Sequence, residues 1–199
     1  PQMQDNTHVL HVTLEDAYTG ADKELIVQKI CTDDRIPQEH TLKVHVGKGM
    51  KHAAKVRFRE DGDFLPSQCR PGDRVVVVAI EDHARFERHG DDLLTTATVP
   101  LARCLVGGAT VSVMHLDGRE VFSKTEGGRV LEPDAVLMVE GEGMPRHKQP
   151  DSRGDLYIVI KPEFPEPPLS AESLRLLRQC LPPGEGASEV PEGEEVEEV

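Results

Sequence analysis

The side chains best suited to acid–base chemistry gather in one short stretch of the chain. His83 and His89 flank Phe86, and Asp91 and Asp92 follow directly. Imidazole and carboxylate groups exchange protons near neutral pH, so this cluster could serve a hydrolase. Its spacing fits no metal-binding or nucleophile pattern, and polar residues at a junction between structural units more often form caps and ion pairs. A hydrolase is therefore only a minor alternative.

Other reactive side chains give even less support for catalysis. His115 and Asp117 fall at a predicted turn. The four cysteines are scattered without a Cys-x-x-Cys pair, which disfavours both a zinc site and a disulfide scaffold. No glycine-rich phosphate-binding motif occurs, and GEGMP at 141–145 is typical of a turn that ends a strand. We predict no catalytic residue, no metal and no cofactor.

Composition narrows the class of protein. The chain has 199 residues and a formal net charge of −13, which leaves room for two small domains and disfavours nucleic-acid binding. No segment is apolar enough to cross a membrane and no signal peptide opens the chain, so we expect a cytoplasmic protein. Because position 1 is a proline, we expect a piece of a longer protein. Residues 23–59 are net basic, which is typical either of a docking surface for carboxylates or of a solvated sheet face.

The elements that would position these side chains are mostly strands. Residues 8–28 alternate apolar and polar side chains on both sides of Gly20, which predicts a hairpin of two strands joined by a short amphipathic connection. One face of that hairpin must be covered or left as a groove. Residues 32–40 are predicted to form a loop, and the unbroken apolar run at 75–80 predicts a buried strand. Further strands are predicted at 41–46, 55–58, 93–99, 110–116, 119–122, 135–141 and 155–164.

The second half of the chain echoes the first. Residues 71–78, PGDRVVVV, resemble residues 153–160, RGDLYIVI. Four residues near the start of each half also match at equal offsets: Val12, Leu14, Ala17 and Gly20 with Val99, Leu101, Cys104 and Gly107. This repetition predicts a mainly all-β fold of two tandem β-sandwich modules, at 1–81 and 82–168.

A short helix is predicted after the second module. Ser170 can cap a helix over 171–181, which carries an apolar stripe of Leu174, Leu177 and Leu181. A helix of about three turns is marginal alone, so the stripe packs either within its own chain or on a partner. We expect residues 169–183 to form a dimerisation helix. The acidic residues 184–199 are expected to be disordered.

These landmarks together resemble the C-terminal peptide-binding region of the DnaJ family of J-domain co-chaperones, over nearly all the chain up to Pro183. Residues 169–183 resemble the dimerisation helix of the subclass that carries a zinc finger, although neither a zinc finger nor a J domain occurs in this sequence. The resemblance rests on VTLEDAYTG (12–20), VHVGKGM (44–50), DGD (61–63), PGD (71–73), HARFERHGDDL (83–93), LDGREV (116–121), GEGMP (141–145) and RGDL (153–156).

The resemblance implies a V-shaped homodimer that captures unfolded polypeptide and delivers it to a DnaK-type chaperone. It places a hydrophobic groove for client polypeptide on the first module. The matching residues here are His8, Leu10, Leu25, Val27 and Phe86. The family often has an apolar residue at the position of His8. The main alternative is an adaptor whose β-sandwich pair holds one fixed protein partner as a scaffold.

The resemblance also implies a docking site for the acidic EEVD tail of the partner chaperone. In some members a lysine pair beside the groove receives that tail. Lys23 matches the first lysine, but Glu24 replaces the second, and Lys43 and Lys48 are the lysines that could compensate. The chain's own end, EEVEEV, is similar to this tail, so it could occupy the same groove.

Overall fold

The computed structural model describes residues 4–65 and 70–181. The chain divides into two compact units, Pro1–Glu163 and Phe164–Val199. The helices are α1 (Leu14–Thr19), α2 (Leu101–Val106) and α3 (Ala171–Cys180). The strands are β1 (Asn6–Val12), β2 (Ala21–Ile30), β3 (Pro37–Val46), β4 (Ala54–Phe58), β5 (Arg74–Ile80), β6 (Phe86–His89), β7 (Asp92–Pro100), β8 (Thr110–Met114), β9 (Glu120–Lys124), β10 (Val136–Val139), β11 (Pro145–Arg146), β12 (Gln149–Arg153) and β13 (Leu156–Glu163). The predicted mainly all-β fold is confirmed.

The first half of the larger unit contains two sheets that share one core. Strand β5 lies in the middle of a three-stranded sheet, parallel to β1 and antiparallel to β4. Strands β2 and β3 form an antiparallel ribbon. Their apolar faces meet, since one cluster of buried side chains draws on both sheets: Leu10, Val12, Val27, Leu42, Val44, Val46, Val76 and Val78. The strand expected at 75–80 is confirmed, but Val77, Ala79 and Ile80 are only partly buried.

The second half repeats this topology. Strand β13 pairs in parallel with β7 and antiparallel with β10, and β8 and β9 form the ribbon. Each half also has a six-residue helix, α1 after β1 and α2 after β7, and each helix ends at a glycine with positive φ, Gly20 at 80° and Gly107 at 75°. The second half adds β6 at the edge of its sheet and the short β11–β12 pair. The repeat seen in the sequence is therefore a repeat of structure.

Three sequence predictions were wrong in detail. Strands β1 and β2 do not form a hairpin, because the six-residue helix α1 between them is longer than a hairpin turn. Instead, β1 pairs with β5 and β2 pairs with β3. The predicted loop at 32–40 ends early, since β3 begins at Pro37, a position that proline tolerates as the first residue of an edge strand. The bridge predicted at 83–93 contains β6, paired with β7.

Helix α1 links the two halves of the larger unit. Thr13 and Asp16 form a capping box at its start, in which each side chain accepts a hydrogen bond from the other residue's backbone N–H. Its buried side chains, Leu14, Ala17 and Tyr18, belong to the core cluster of the second half, together with Leu93, Leu156 and Ile158. The predicted boundary at residue 81 stays a prediction, but the second core is built partly from residues before it.

The smaller unit contains helix α3. Ser170 accepts a hydrogen bond from the backbone N–H of Ser173 at 3.1 Å, which confirms the predicted N-cap. The prediction of a disordered tail at 184–199 lies outside the described residues. No helix in the described part of the chain is long and apolar enough to cross a membrane.

Candidate functional site

The candidate site, called the gap between β1 and β2 below, is the region where these two strands each leave one edge unpaired above a core to which both contribute. Within residues 4–65 and 70–181, β1 pairs only with β5 and β2 pairs only with β3. Each strand therefore keeps one edge whose backbone N–H and C=O groups have no strand partner. Beneath these edges lies the core that the two sheets share. Such an arrangement can accept an extended segment as an additional strand.

The apolar side chains expected at this gap sit at different depths. Leu10 is 7% exposed and Val27 is 5% exposed, so both mainly fill the core. Leu25 is half-buried against the same cluster and is the most accessible of the three. The three residues contribute to one apolar cluster, and only Leu25 offers much surface to a bound segment.

Two exposed apolar residues at the gap were missed from the sequence. Ile26 is 66% exposed on the outer face of β2, and Val9 is 52% exposed on the outer face of β1. The sequence contains a signal for Ile26, because Leu25, Ile26 and Val27 form an unbroken apolar run where strict alternation would place a polar residue at the middle position. A strand added to β2 would find apolar neighbours on both of its faces.

His8 stands at the start of the wall formed by β1. It shares the inward face of the strand with Leu10 and is half-buried. Its Nε2 lies 2.6 Å from Nη1 of Arg74, a residue of β5 that is completely buried. Burial and the neighbouring guanidinium lower the pKa of His8 from its ordinary value, although the carboxylate of Asp63 acts in the opposite direction. The imidazole is therefore neutral near pH 7.

Phe86 lies apart from the other four predicted groove residues. It begins β6 and is only 3% exposed. Its ring belongs to the core of the second half, with ring centroids 5.4 Å from His83 and 5.7 Å from His115. A side chain so placed supports the fold of the second half and offers almost no surface to a bound segment. Its role in binding stays a prediction.

The three lysines expected to dock an acidic tail do not share one face. Lys23 points to the same side of β2 as Leu25, and its Nζ lies 2.7 Å from a carboxylate oxygen of Asp16 in α1. Lys43 is exposed on the outer face of β3 and stands in register with Glu24. Lys48 is exposed in the turn after β3. The cationic surface around the gap is therefore partly neutralised by the chain's own carboxylates.

The pKa of Asp16 reflects its two partners. Burial alone would raise it, but hydrogen bonds from Lys23 and from the backbone and side chain of Thr13 outweigh burial and hold it below the ordinary aspartate value. The carboxylate is therefore charged at neutral pH, and it ties β2 to the first turn of α1.

The histidine and aspartate cluster at 83–92 is structural. Nε2 of His83 lies 3.0 Å from Glu15, while its Nδ1 accepts hydrogen bonds from the backbone N–H groups of Arg85 and Phe86. His89 instead pairs with Glu87 at 3.1 Å. Asp92 accepts a hydrogen bond from the backbone N–H of Asp155 at 2.8 Å, whereas the carboxylate of Asp91 lies 3.9 Å from Nε of Arg146 and its Oδ1 is buried without a hydrogen bond. These contacts are caps and ion pairs, the structural alternative considered above.

The remaining candidates for chemistry are also tied into the fold. His115 is 1% exposed and donates from Nε2 to the backbone oxygen of Glu142 at 2.9 Å. Its Nδ1 lies 3.8 Å from the carboxylate of Asp117 and makes no hydrogen bond. Among the described residues, no group of three or more histidine, cysteine, aspartate or glutamate side chains could hold a metal ion.

The second half has a cleft at the position that corresponds to the β1–β2 gap. It lies between β7 and β8 and has a volume of about 890 Å³. Thr96, Thr98 and Arg103 contribute polar groups to its lining, and Met114 is 48% exposed at its rim. The internal repeat was the sequence signal that could have located this cleft.

Comparison with known proteins agrees with this architecture. Residues 7–165 match the DnaJ C terminal domain family. The chain is 39% identical over 167 residues to DnaJ homolog subfamily A member 2 of Homo sapiens, a match that covers 81% of this chain and 39% of that protein. It is 37% identical over 153 residues to Chaperone protein dnaJ 3 of Arabidopsis thaliana, which covers 76% of this chain and 36% of that protein.

These matches span little more than a third of each relative, so they describe one region of a larger kind of protein. That region coincides with the two structural repeats and the gap between β1 and β2. The chain belongs to the DnaJ C-terminal domain family.

Proposed function

We propose that this chain is a co-chaperone region that binds unfolded or hydrophobic polypeptide segments and presents them to a DnaK-type chaperone. A client segment adds as an extra strand along β2, with backbone hydrogen bonds supplying affinity that tolerates many sequences. Apolar side chains of the client rest on Leu25 and Ile26. The names of relatives such as Chaperone protein dnaJ 3 support the chaperone role.

One observation carries the proposal. The unpaired edge of β2 coincides with its unbroken apolar run, in which Ile26 is 66% exposed and Leu25 is half-buried. An exposed apolar strand edge is a liability that soluble proteins usually blunt with charges or prolines. Keeping such an edge apolar is consistent with its use as a binding surface.

A pair of matched variants tests the groove. Ile26→Ser removes an exposed apolar side chain from β2, and Met138→Ser removes one that is 57% exposed on β10, far from the gap in sequence and topology. We expect Ile26→Ser to weaken binding of a fluorescent extended apolar peptide about threefold to tenfold and Met138→Ser to leave it unchanged. Equal effects of the two changes, in variants with wild-type melting temperatures, would refute the placement.

Backbone pairing is tested on the peptide. A version with N-methyl groups on every amide of the apolar stretch keeps every side chain but has no backbone N–H to pair as a strand along either edge. Loss of binding by this peptide is expected. Retained binding would show that the site recognises side chains alone. Suppression of aggregation of several unrelated denatured clients then separates a chaperone from a scaffold, which would act on none of them.

The docking of the partner's acidic tail on Lys23, Lys43 and Lys48 forms part of the same proposal. The tail carboxylates would have to displace Asp16 from Lys23, whereas Lys48 is already exposed. Lys48→Glu should therefore weaken binding of a partner-tail peptide, and the effect should shrink at high salt. Unchanged affinity in Lys48→Glu would remove Lys48 from the site.

Homodimerisation through α3 is the last part of the proposal. Every residue of α3 is exposed, and its stripe is 41% exposed at Leu174, 41% at Leu177 and 45% at Leu181. An apolar stripe on a short helix favours burial against another surface. Sedimentation of the wild type and of Leu177→Lys should give a dimer and a monomer respectively. A monomeric wild type would refute this part alone.

A further inference from the structure

Arg74 is buried among polar groups at one end of the first sandwich. Its side chain is 0% exposed at the start of β5. Nε donates to the backbone oxygen of Asp61 at 3.1 Å and lies 3.3 Å from a carboxylate oxygen of the same residue. Nη2 lies 3.7 Å from the carboxylate of Asp63 and has no hydrogen bond. These contacts hold the guanidinium in one position.

The contact between Arg74 and His8 fixes the tautomer of the histidine. A guanidinium can only donate hydrogen bonds, so Nε2 of His8 must accept the one from Nη1, at 2.6 Å. In the neutral ring the single proton then resides on Nδ1. A second proton would place two cations in contact, which opposes protonation of the ring.

The N–H on Nδ1 faces open space. Nδ1 has no hydrogen-bond partner among the described residues, and it is absent from the buried polar atoms that lack one. The end of β2 is tied to the same polar groups, because Asp63 beside Arg74 accepts a hydrogen bond from the backbone N–H of Ile30, and Asp61 pairs with Lys29 at 3.0 Å. The Nδ1–H donor of His8 therefore lies at one end of the wall formed by β1, next to the apolar side chain of Leu10.

We propose that His8 is a specificity-determining residue of the groove, whose Nδ1–H selects segments that carry a side-chain acceptor oxygen beside an apolar stretch. The acceptor is the amide or carboxylate oxygen of Asn, Gln, Asp or Glu. This inference rests on the proposed function and adds a polar preference to an apolar site. Arg74 acts as the positioning residue, since it sets the orientation and tautomer of the ring without touching the client.

Paired peptides test the preference. Each pair shares an apolar core and differs by Asn against its near-isostere Leu, placed at the N-terminal flank in one pair and at the C-terminal flank in the other. In one of the two pairs we expect the wild-type chain to bind the Asn peptide about fivefold more tightly, the effect of one hydrogen bond. Equal or weaker binding of the Asn peptide in both pairs would overturn the inference.

Two variants separate selection from a purely structural role. His8→Leu should remove the preference, so that the Asn and Leu peptides of each pair bind with the same affinity. His8→Gln should restore part of the preference, because its amide oxygen can accept from Arg74 while its NH₂ group donates. A structural role would lower the melting temperature without changing the ratio of the two affinities. The same ratio in wild type and His8→Leu would therefore refute the proposal.

Long-range ¹H–¹⁵N spectra provide a readout that needs no peptide. At about pH 7.5 the imidazole of His8 should show a protonated Nδ1 and an unprotonated Nε2. The opposite tautomer would overturn the inference. Failure of every peptide to bind would refute the proposed function and this inference with it, whereas equal binding within both pairs refutes the inference alone.

Discussion

Replacing Phe86 by alanine should destabilise the fold and leave peptide affinity unchanged. The ring is 3% exposed in the core of the second half, within 5.7 Å of His115 and 5.4 Å of His83 between ring centroids. Truncation of a buried phenylalanine to alanine typically costs about 3–5 kcal/mol through lost burial and the cavity left behind. For a unit of this size, that loss lowers the melting temperature by about 10 °C.

The matched control is Phe122→Ala in strand β9. Phe122 is 59% exposed, so the same chemical change there should alter the free energy of unfolding by less than about 0.5 kcal/mol. Urea titration followed by circular dichroism gives both values, and peptide affinity is measured well below the melting temperature. A loss under about 1 kcal/mol in Phe86→Ala, or a selective loss of peptide binding in a stable variant, would refute the assignment of Phe86 to the core.

Two further changes test the backbone and the charges. Gly49→Ala should lower the free energy of unfolding by more than about 3 kcal/mol, because φ is +74° and the added Cβ would overlap the backbone oxygen of Pro145. The control is Gly118→Ala, where φ is +81° but the space around the residue is open, and it should lower the free energy of unfolding by only about 1 kcal/mol. Similar unfolding midpoints would contradict this. Asp16→Ala should cost about 1 kcal/mol at neutral pH. The pKa of Asp16 in the folded state lies below its value in the unfolded state. The stability difference between wild type and Asp16→Ala should therefore be present above about pH 4 and vanish as the pH falls through the folded pKa. A stability difference that does not depend on pH would contradict this.

Sequence patterns predicted which segments are strands better than which strands pair. Alternation at residues 8–12 predicted a strand with one face that is covered or left as a groove, and in the structure Leu10 and Val12 are buried on that face. It could not reveal that β1 pairs with β5, because alternation reports the face of a strand and carries no information about its neighbour. The repeat was the stronger signal, since two copies with equal offsets constrain topology as well as local structure.

The candidate site was predicted unevenly for a similar reason. The family resemblance assigned Leu25 and Val27 to the groove, and both lie on the same side of β2. Phe86 comes from another strand, and its burial depends on packing against His83 and His115, which no local pattern reports. The contact of His8 with Arg74 joins residues 66 positions apart, so it too was invisible before the fold was known.

Helix α1 makes the two repeats depend on one another during folding. The second repeat cannot complete its core without Leu14, Ala17 and Tyr18, which precede it by more than sixty residues. Arg88 adds a second tie, donating to the backbone oxygens of Gly49 and Met50. A fragment that starts at residue 82 would expose this apolar surface and should be insoluble or poorly folded. Because of these shared contacts, we expect the two repeats, and with them the gap between β1 and β2, to unfold in one cooperative step.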